Sequence, residues 1–357
     1  MSSYLPAMLL ALFAGVVADR SDRRRIMLTA DALRAAVVLM IPLSYWAGIL
    51  SPALLAADAF ALAVAATFFN PARDALVPRI VLQNGLLRAN SLIQTSWQFS
   101  LLIGPALAAM LLHLVGRIHI FSFDSLAYLL SFAFIFGITI RKTTMAGTES
   151  HPTKRGYGWG EVKAGLQYAA SHPVILPLLL ITIADNLFIM GPAIVGTPVF
   201  VKEELNLGAE AYALIQACIA VGMLIGTAGL IAFGGRFKKG RVLLVGMVLD
   251  GLTFVPLYFI GSLWGMAATI VVHSLAIPLL TISRTSLIQA LVPARMTGRM
   301  FALVNLAVVG MSALSAGLSG IALETWGARV VFLVIGIGGG ACGVIGWLLA
   351  RKLREQD

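Results

Sequence analysis

Apolar residues run along this chain in long stretches separated by short polar clusters, with no regular alternation of apolar and polar positions. A helix needs roughly 20 mostly apolar residues to cross the hydrocarbon core of a bilayer. Cutting the sequence at charged and turn-forming clusters leaves eleven segments that approach this length. They span about 1 to 18, 26 to 48, 53 to 70, 92 to 115, 119 to 140, 174 to 200, 211 to 234, 240 to 260, 264 to 286, 299 to 322 and 328 to 350. Glycine and proline are spread through these runs, and the two-residue period of a barrel strand is missing. The expected fold class is therefore an all-α polytopic membrane protein of packed helices.

Composition excludes the soluble alternative. Of 357 residues, 59% are hydrophobic and 12% charged, with a mean hydropathy of +0.92; soluble domains sit near about 45–50% apolar and about 25% charged. The net charge of +10 raises the question of nucleic acid until the basic residues are placed. Alternating the loops between two sides puts 22 of the 26 Lys and Arg on one side and leaves Arg117, Lys202 and Arg329 on the other, with Arg34 inside a span. The positive-inside rule makes the first side cytoplasmic, so the C-terminus is expected inside and the N-terminus outside. Charge here encodes orientation in a plasma (inner) membrane, with contact to acidic lipid as a secondary possibility and no nucleic-acid partner.

The longest polar stretch, Arg141 to Pro173, divides five spans from six. Three domains are expected: an N-terminal bundle over 1–140, a cytoplasmic linker over 141–173, and a C-terminal bundle over 174–357. Within the linker, Val162, Leu166 and Ala169 lie at helical spacing, which predicts an interfacial helix over Gly160 to Ser171. The halves also repeat. Ala75-Leu76-Val77-Pro78 returns as Ala290-Leu291-Val292-Pro293, and Asn90 returns as Asn305, both at an offset of 215; the loop Asp19 to Arg25 corresponds to Gly235 to Arg241 at 216. Six spans in the second half predict six in the first, hence a helix upstream of Met1.

The loop after the first span reads Gly15-Val-Val-Ala-Asp19-Arg20-Ser-Asp22-Arg23-Arg24-Arg25. This resembles the G-x-x-x-D-R-x-G-R-R signature between the second and third helices of the major facilitator superfamily, departing from it at Asp22, where Gly is usual. Phe69 to Pro78 followed by Arg88-Ala89-Asn90-Ser91-Leu92 is similar to the branch that contains the enterobactin exporter and macrolide efflux pumps. The likeness covers essentially the whole chain, and by it the missing piece is the first transmembrane helix. It implies a secondary active transporter that exports an amphipathic small molecule, drug or siderophore-like, by proton antiport with alternating access, acting as a monomer. It also implies that the signature loop, Gly15, Asp19, Arg20, Arg23 and Arg24, latches the cytoplasmic side with Arg73 or Asp74 of the next loop. Read on its own chemistry, Asp19 at a helix end can accept from the N–H groups of a neighbouring helix start or pair with a guanidinium, whereas Arg24 and Arg25 read as topology anchors.

Ionisable residues inside spans point to function, because a charge at mid-bilayer is costly unless paired, protonated or wet. Asp185, with Asn186, is the first candidate for carrying a proton or for contacting a polar or cationic substrate group; a structural hydrogen bond is the competing reading. His273 is the second candidate. Asp250 is assigned to structure, as is the pair Asp31 and Arg34, three residues apart on one helix. Gly104-Pro105 is similar to the glycine-proline motif of antiporters and reads either as a packing kink or as an export-specific hinge.

Other chemistry is not encoded. Cys218 and Cys342 lie far apart in apolar runs, the five histidines lack metal-ligand spacing, and no P-loop or nucleophile motif occurs, so no metal, cofactor or enzymatic activity is expected. Gly338 to Gly343 fits G-x-G-x-x-G inside an apolar span and reads as a helix-packing surface. Two rival functions remain: lysophospholipid or other lipid transport, and a non-transporting membrane binding protein or fragment.

Overall fold

A computed structural model describes residues 5–138 and 159–357, without the side chains of Leu5 to Met8, Pro105, Ala106 and Ala109. Among the described residues every regular element is helical. In chain order these are α1 (Leu5–Arg20), α2 (Arg23–Trp46), α3 (Pro52–Ile80), α4 (Leu86–Val115), α5 (Arg117–Gly137), α6 (Trp159–Ser171), α7 (Ile175–Asp185), α8 (Thr197–Val199), α9 (Ala209–Phe233), α10 (Lys239–Leu252), α11 (Leu263–Leu291), α12 (Thr297–Leu349) and the short α13 (Arg351–Arg354).

Eight described stretches are long and apolar enough to cross a membrane. One is the 53-residue α12, which breaks at Gly327, whose φ of 76° a side chain rarely adopts, and so supplies two crossings. Another is a continuous coil from Ile175 to Glu204, in which α7 and α8 are joined by π-helical turns over Asn186–Met190 and Pro192–Gly196, and a third such turn, Phe200–Glu204, follows α8.

Turn chemistry sets the ends. Asp22 caps α2 by accepting from the N–H groups of Arg24 (2.9 Å) and Arg25 (3.4 Å). Its φ of −66° explains why the signature's usual glycine is dispensable here. Ser51 caps α3, with Pro52 in its first turn. At α7 the cap is His172, whose Nδ1 accepts from Val174 and Ile175 at 3.2 Å. Partial burial lowers the His172 pKa and so favours the neutral ring that this cap requires.

Two boundaries differ from the sequence expectation for one reason. Phe69 to Pro78 is helical, since α3 continues to Ile80 through Pro71 and Pro78, and α11 continues to Leu291, past the expected end at 286. Hydropathy marks where the hydrocarbon ends; a helix whose backbone bonds are internal can run on past that point.

The described chain forms two compact units. The first draws on Met1–Gln83, Gly104–Ala169 and Gln289–Leu306, the second on Asn84–Ile103, Ala170–Ile288 and Ala307–Asp357. These units cut across the sequence halves at two helices: the start of α4 belongs to the second and the start of α12 to the first. In the first unit a small core gathers Ala18, Met27, Ala72, Leu76 and Ile135. In the second, a larger core centres on Phe200, Phe254 and Phe332, with Phe332 edge-on to Phe200 at 5.8 Å and stacked on Phe254 at 5.3 Å. Polar side chains inside helices mostly return their hydroxyls to the carbonyl four residues back, as Thr67, Thr182 and Thr281 do, which satisfies them where water is absent.

Candidate functional site

Two clusters of buried charge stand out, one in each unit. In the first, Asp19 lies just beyond the apolar run of α1 and meets the start of α12. Its carboxylate accepts from Gly298 N at 2.5 Å, Arg299 N at 3.2 Å and Arg299 Nε at 2.9 Å. Gly298 and Arg299 belong to the first turn of α12, whose N–H groups have no partner within the helix, so Asp19 acts as a cap supplied from 279 residues away. This approach depends on glycine: a Cβ on Gly15 would stand 2.5 Å from Ala302 Cβ and 2.8 Å from Gly298 O.

Arg299 spends its remaining donors on the same junction. Its Nη1 reaches Glu161 Oε2 at 3.0 Å on α6, its Nη2 reaches the Arg295 carbonyl at 2.7 Å, and Glu161 Oε1 stands 2.7 Å from Arg20. A chain of charges, Asp19, Arg299, Glu161 and Arg20, thus ties α1, α12 and α6 together. Burial pushes the Asp19 carboxyl up to about 6, against the opposing pull of Arg299 and the α12 N–H groups. It is therefore ionised at neutral pH, and the pair with Arg299 is charged.

The other signature residues are placed as follows. Arg23 donates to the Asp19 carbonyl (3.2 Å) and the Ala294 carbonyl (2.9 Å), and so adds to the junction. Arg24 turns away to the end of α5, donating to the carbonyls of Ile135 and Phe136. Arg73 pairs with its neighbour Asp74 at 2.8 Å instead of reaching Asp19. The expectation that Arg73 or Asp74 would partner Asp19 is corrected: the partner is Arg299, because the first turn of α12 offers N–H groups and a guanidinium together. Asp74 contributes through its backbone carbonyl, which accepts from Gln289 at 2.8 Å. Asp31 and Arg34 pair at 3.3 Å, with Ser131 donating to the second Asp31 oxygen at 2.6 Å.

The second cluster lies in the second unit, among the spans. Asp185 ends α7 where the coil turns π-helical, a geometry frequent at functional sites. Its Oδ1 is buried with no hydrogen-bond partner among the described residues, as is Oδ1 of Asp250 on α10. Asp250 Oδ1 stands 3.7 Å from His273 Nδ1, and that nitrogen also lies 3.1 Å from the Asp250 carbonyl and 3.0 Å from Thr253 Oγ1. The Phe254 ring covers His273 at 4.1 Å. Asn186 faces α12: Ser312 Oγ donates to its Oδ1 at 3.4 Å, and its own amide returns to Thr182 O at 2.8 Å. The structure thus places His273 beside Asp250. Gly104 and Pro105 lie within α4 where the helix passes from the second unit to the first; among the described residues no atom stands within 4 Å of a Cβ built on Gly104, and the side chain of Pro105 lies outside the described set. Among the described residues no group of three or more His, Cys, Asp or Glu has the geometry to hold a metal ion.

Residues 1–356 match the model of the family described as transmembrane secretion effector. The chain belongs to this family of major facilitator transporters. It is 26% identical to the MFS-type transporter YvqJ of Bacillus subtilis, over 99% of this chain and 83% of that one, and 22% identical to macrolide efflux protein A of Enterococcus faecalis, over 85% and 93%. The crystal structure of the human organic anion transporter MFSD10 superposes with a TM-score of 0.79 over 98% of this chain and 82% of that one, at 14% identity, which speaks to the fold alone. The chain is accordingly a multi-pass integral membrane protein with the major facilitator fold.

Within this transporter, sequence reasoning missed Arg299 and Glu161 as partners of the signature loop. Arg299 reads as one basic residue among many in a loop, and Glu161 as part of a mixed-charge linker.

Proposed function

We propose that this transporter is a proton-driven exporter of an amphipathic small molecule, drug or siderophore-like, in the plasma (inner) membrane, with its basic ends and C-terminus in the cytoplasm. Residues 1–140 and 174–357 act as two helical bundles about a mid-membrane site, joined by the 141–173 linker, and a single copy suffices. The observation that carries this reading is Asp185: an acid eleven residues into a membrane span, with a buried Oδ1 that has no hydrogen-bond partner, at the start of a π-helical turn. A group so placed binds a proton or a substrate in one conformation and releases it in the other, which is all that coupling requires. The efflux role named for the macrolide relative supports the direction, and the positive-inside bias supports the orientation.

Asp19 and its junction serve as the latch on the cytoplasmic side. While the carboxylate holds the first turn of α12, that side is shut, and the cycle requires its release. Asn186 and His273 border the same site, and Gly104-Pro105 is the flexible point of α4. The test is proton release by purified protein in weakly buffered detergent when a macrolide or another amphipathic drug is added. Release in the native chain and none in Asp185→Asn, with unchanged folding and membrane insertion, is expected. Equal release from both removes Asp185 from the mechanism.

A further inference from the structure

A cavity of about 300 Å³ opens between the loop that joins α1 to α2 and the last turn of α3, lined by Ser21, Asp22, Arg23, Leu76 and Arg79. Its inner wall is buried, Arg23 being 7% exposed and Leu76 3%, whereas Asp22 and Arg79 are exposed and stand at its mouth. That volume lies at the lower end of small-molecule sites, about 300–1,000 Å³.

Two guanidinium groups of like charge therefore share one small space. Arg23 gives its Nη2 to two carbonyls, Asp19 O at 3.2 Å and Ala294 O at 2.9 Å, which solvate a cation without balancing its charge. Its Nε is buried with no hydrogen-bond partner among the described residues. A buried donor left unmet is costly, and more so on a charged group. The nearby carboxylates are committed elsewhere. Asp19 accepts from Arg299 and the start of α12, and Asp22 accepts from the N–H groups of Arg24 and Arg25, with Arg25 Nε 3.7 Å away. Among the described residues no carboxylate forms an ion pair with Arg23 or Arg79.

What this cavity is short of is negative charge carried on several oxygens, which is what the fixed fork of guanidinium donors fits best. Beyond it, at the end of α3, Ile80 is 39% exposed and Leu82 70%. Cations beside exposed apolar side chains at the end of a membrane span suit the headgroup level of a bilayer. We propose that the cavity binds a phosphate-type oxyanion, held by Arg79 at the mouth and by the unmet donor of Arg23 within, whose source is the headgroup of an anionic phospholipid or free phosphate. Arg23 ties this ligand to the charged joint, because the same guanidinium bonds the carbonyl of Asp19 at the end of α1 and that of Ala294 ahead of α12. An occupied cavity therefore steadies the closed joint. That consequence rests on the exporter reading and its latch; the binding does not.

Binding is measured on the purified full chain without substrate, in phosphate-free buffer. Native mass spectrometry with phosphatidylglycerol, against phosphatidylcholine as reference, reads the lipid source, and phosphorus NMR of added inorganic phosphate reads the free ion. Phosphatidylglycerol should bind Arg79→Gln and Arg23→Gln at least about tenfold more weakly than the native chain, while Arg241→Gln, which removes the same charge from the exposed start of α10, stays within about twofold. The same pattern with inorganic phosphate alone keeps the site and assigns it to the free ion. Equal losses in Arg79→Gln and Arg241→Gln reduce the effect to attraction by basic residues at large and overturn the proposal, as does binding of neither probe. Arg79 is exposed and makes no hydrogen bond or ion pair among the described residues, so Arg79→Gln decides the matter if Arg23→Gln fails to fold. Weakened binding in Arg79→Gln with native drug-driven proton release keeps the site and removes only its tie to the latch.

Discussion

The starts of α4 and α12 are related by the internal repeat, Asn90 standing to one as Asn305 stands to the other, yet they are held by opposite chemistry. The start of α12 meets α1 through Asp19, Arg299, Glu161 and Arg20, all charged. The start of α4 is held by neutral groups. Gln98 donates to Thr227 Oγ1 on α9 at 3.0 Å, Asn90 donates to Ser286 Oγ on α11 at 3.0 Å, and Leu87 packs beside Gly234. Where the first half has Ala18-Asp19, the repeat puts Gly234-Gly235. A duplicated fold thus carries one charged and one neutral version of the same joint. Hydrogen bonds to charged groups contribute about 1.5–3 kcal/mol each and neutral ones about 0.5–1.5. The charged joint is therefore stronger when intact and more exposed to failure when one partner goes.

The comparison can be broken most severely at Asp19. Asp19→Ala leaves a buried guanidinium and two helix-start N–H groups without their acceptor, and should cost about 3–5 kcal/mol at this joint. Thermal unfolding of the purified protein and drug efflux from cells should both fall sharply; native values for both demote the joint to a bystander. The glycines give the next test. Gly15→Ala drives a methyl into the α12 backbone and should cost about 1–3 kcal/mol, whereas Gly234→Ala meets only the ends of Leu87 and Leu230, which can move, and should cost less than about 1 kcal/mol. Equal losses of melting temperature would erase the distinction between the joints. At the neutral joint, Gln98→Ala should cost about 1 kcal/mol, equally at low and high salt, while the loss from Glu161→Gln should shrink as salt is added, because Glu161 is partly exposed.

The smallest effect is that of pH. Burial holds Asp19 at about 6 in the closed joint, above the ordinary 3.8 to which it returns in water. The closed form then binds the proton more tightly, so closure is favoured as pH falls from about 6 towards 4, and is flat above about 7. Melting curves across this range, native against Asp19→Asn, should differ in slope only below about 6.

Much of this was legible in the sequence. Hydropathy located the spans, and Asp19 at a helix end announced a cap or an ion pair. What stayed hidden was whatever depends on distant packing: Arg299 lies 280 positions from Asp19. Helix ends were also placed too early, since the polar ends of α3 and α11 remain coiled beyond the apolar stretch. The neutral joint gave no sign at all, because Gln98, Thr227 and Ser286 look like ordinary polar residues in apolar helices.

The claim that the charged joint closes and opens is tested most directly by the distance between its two sides. Spin labels at Arg25 and Arg295, both exposed, measured by double electron–electron resonance in lipid nanodiscs, report it without disturbing Asp19. The account predicts a dominant short distance in the native chain and a shift to a longer one in Asp19→Ala. Superimposable distance distributions for the two proteins would contradict it.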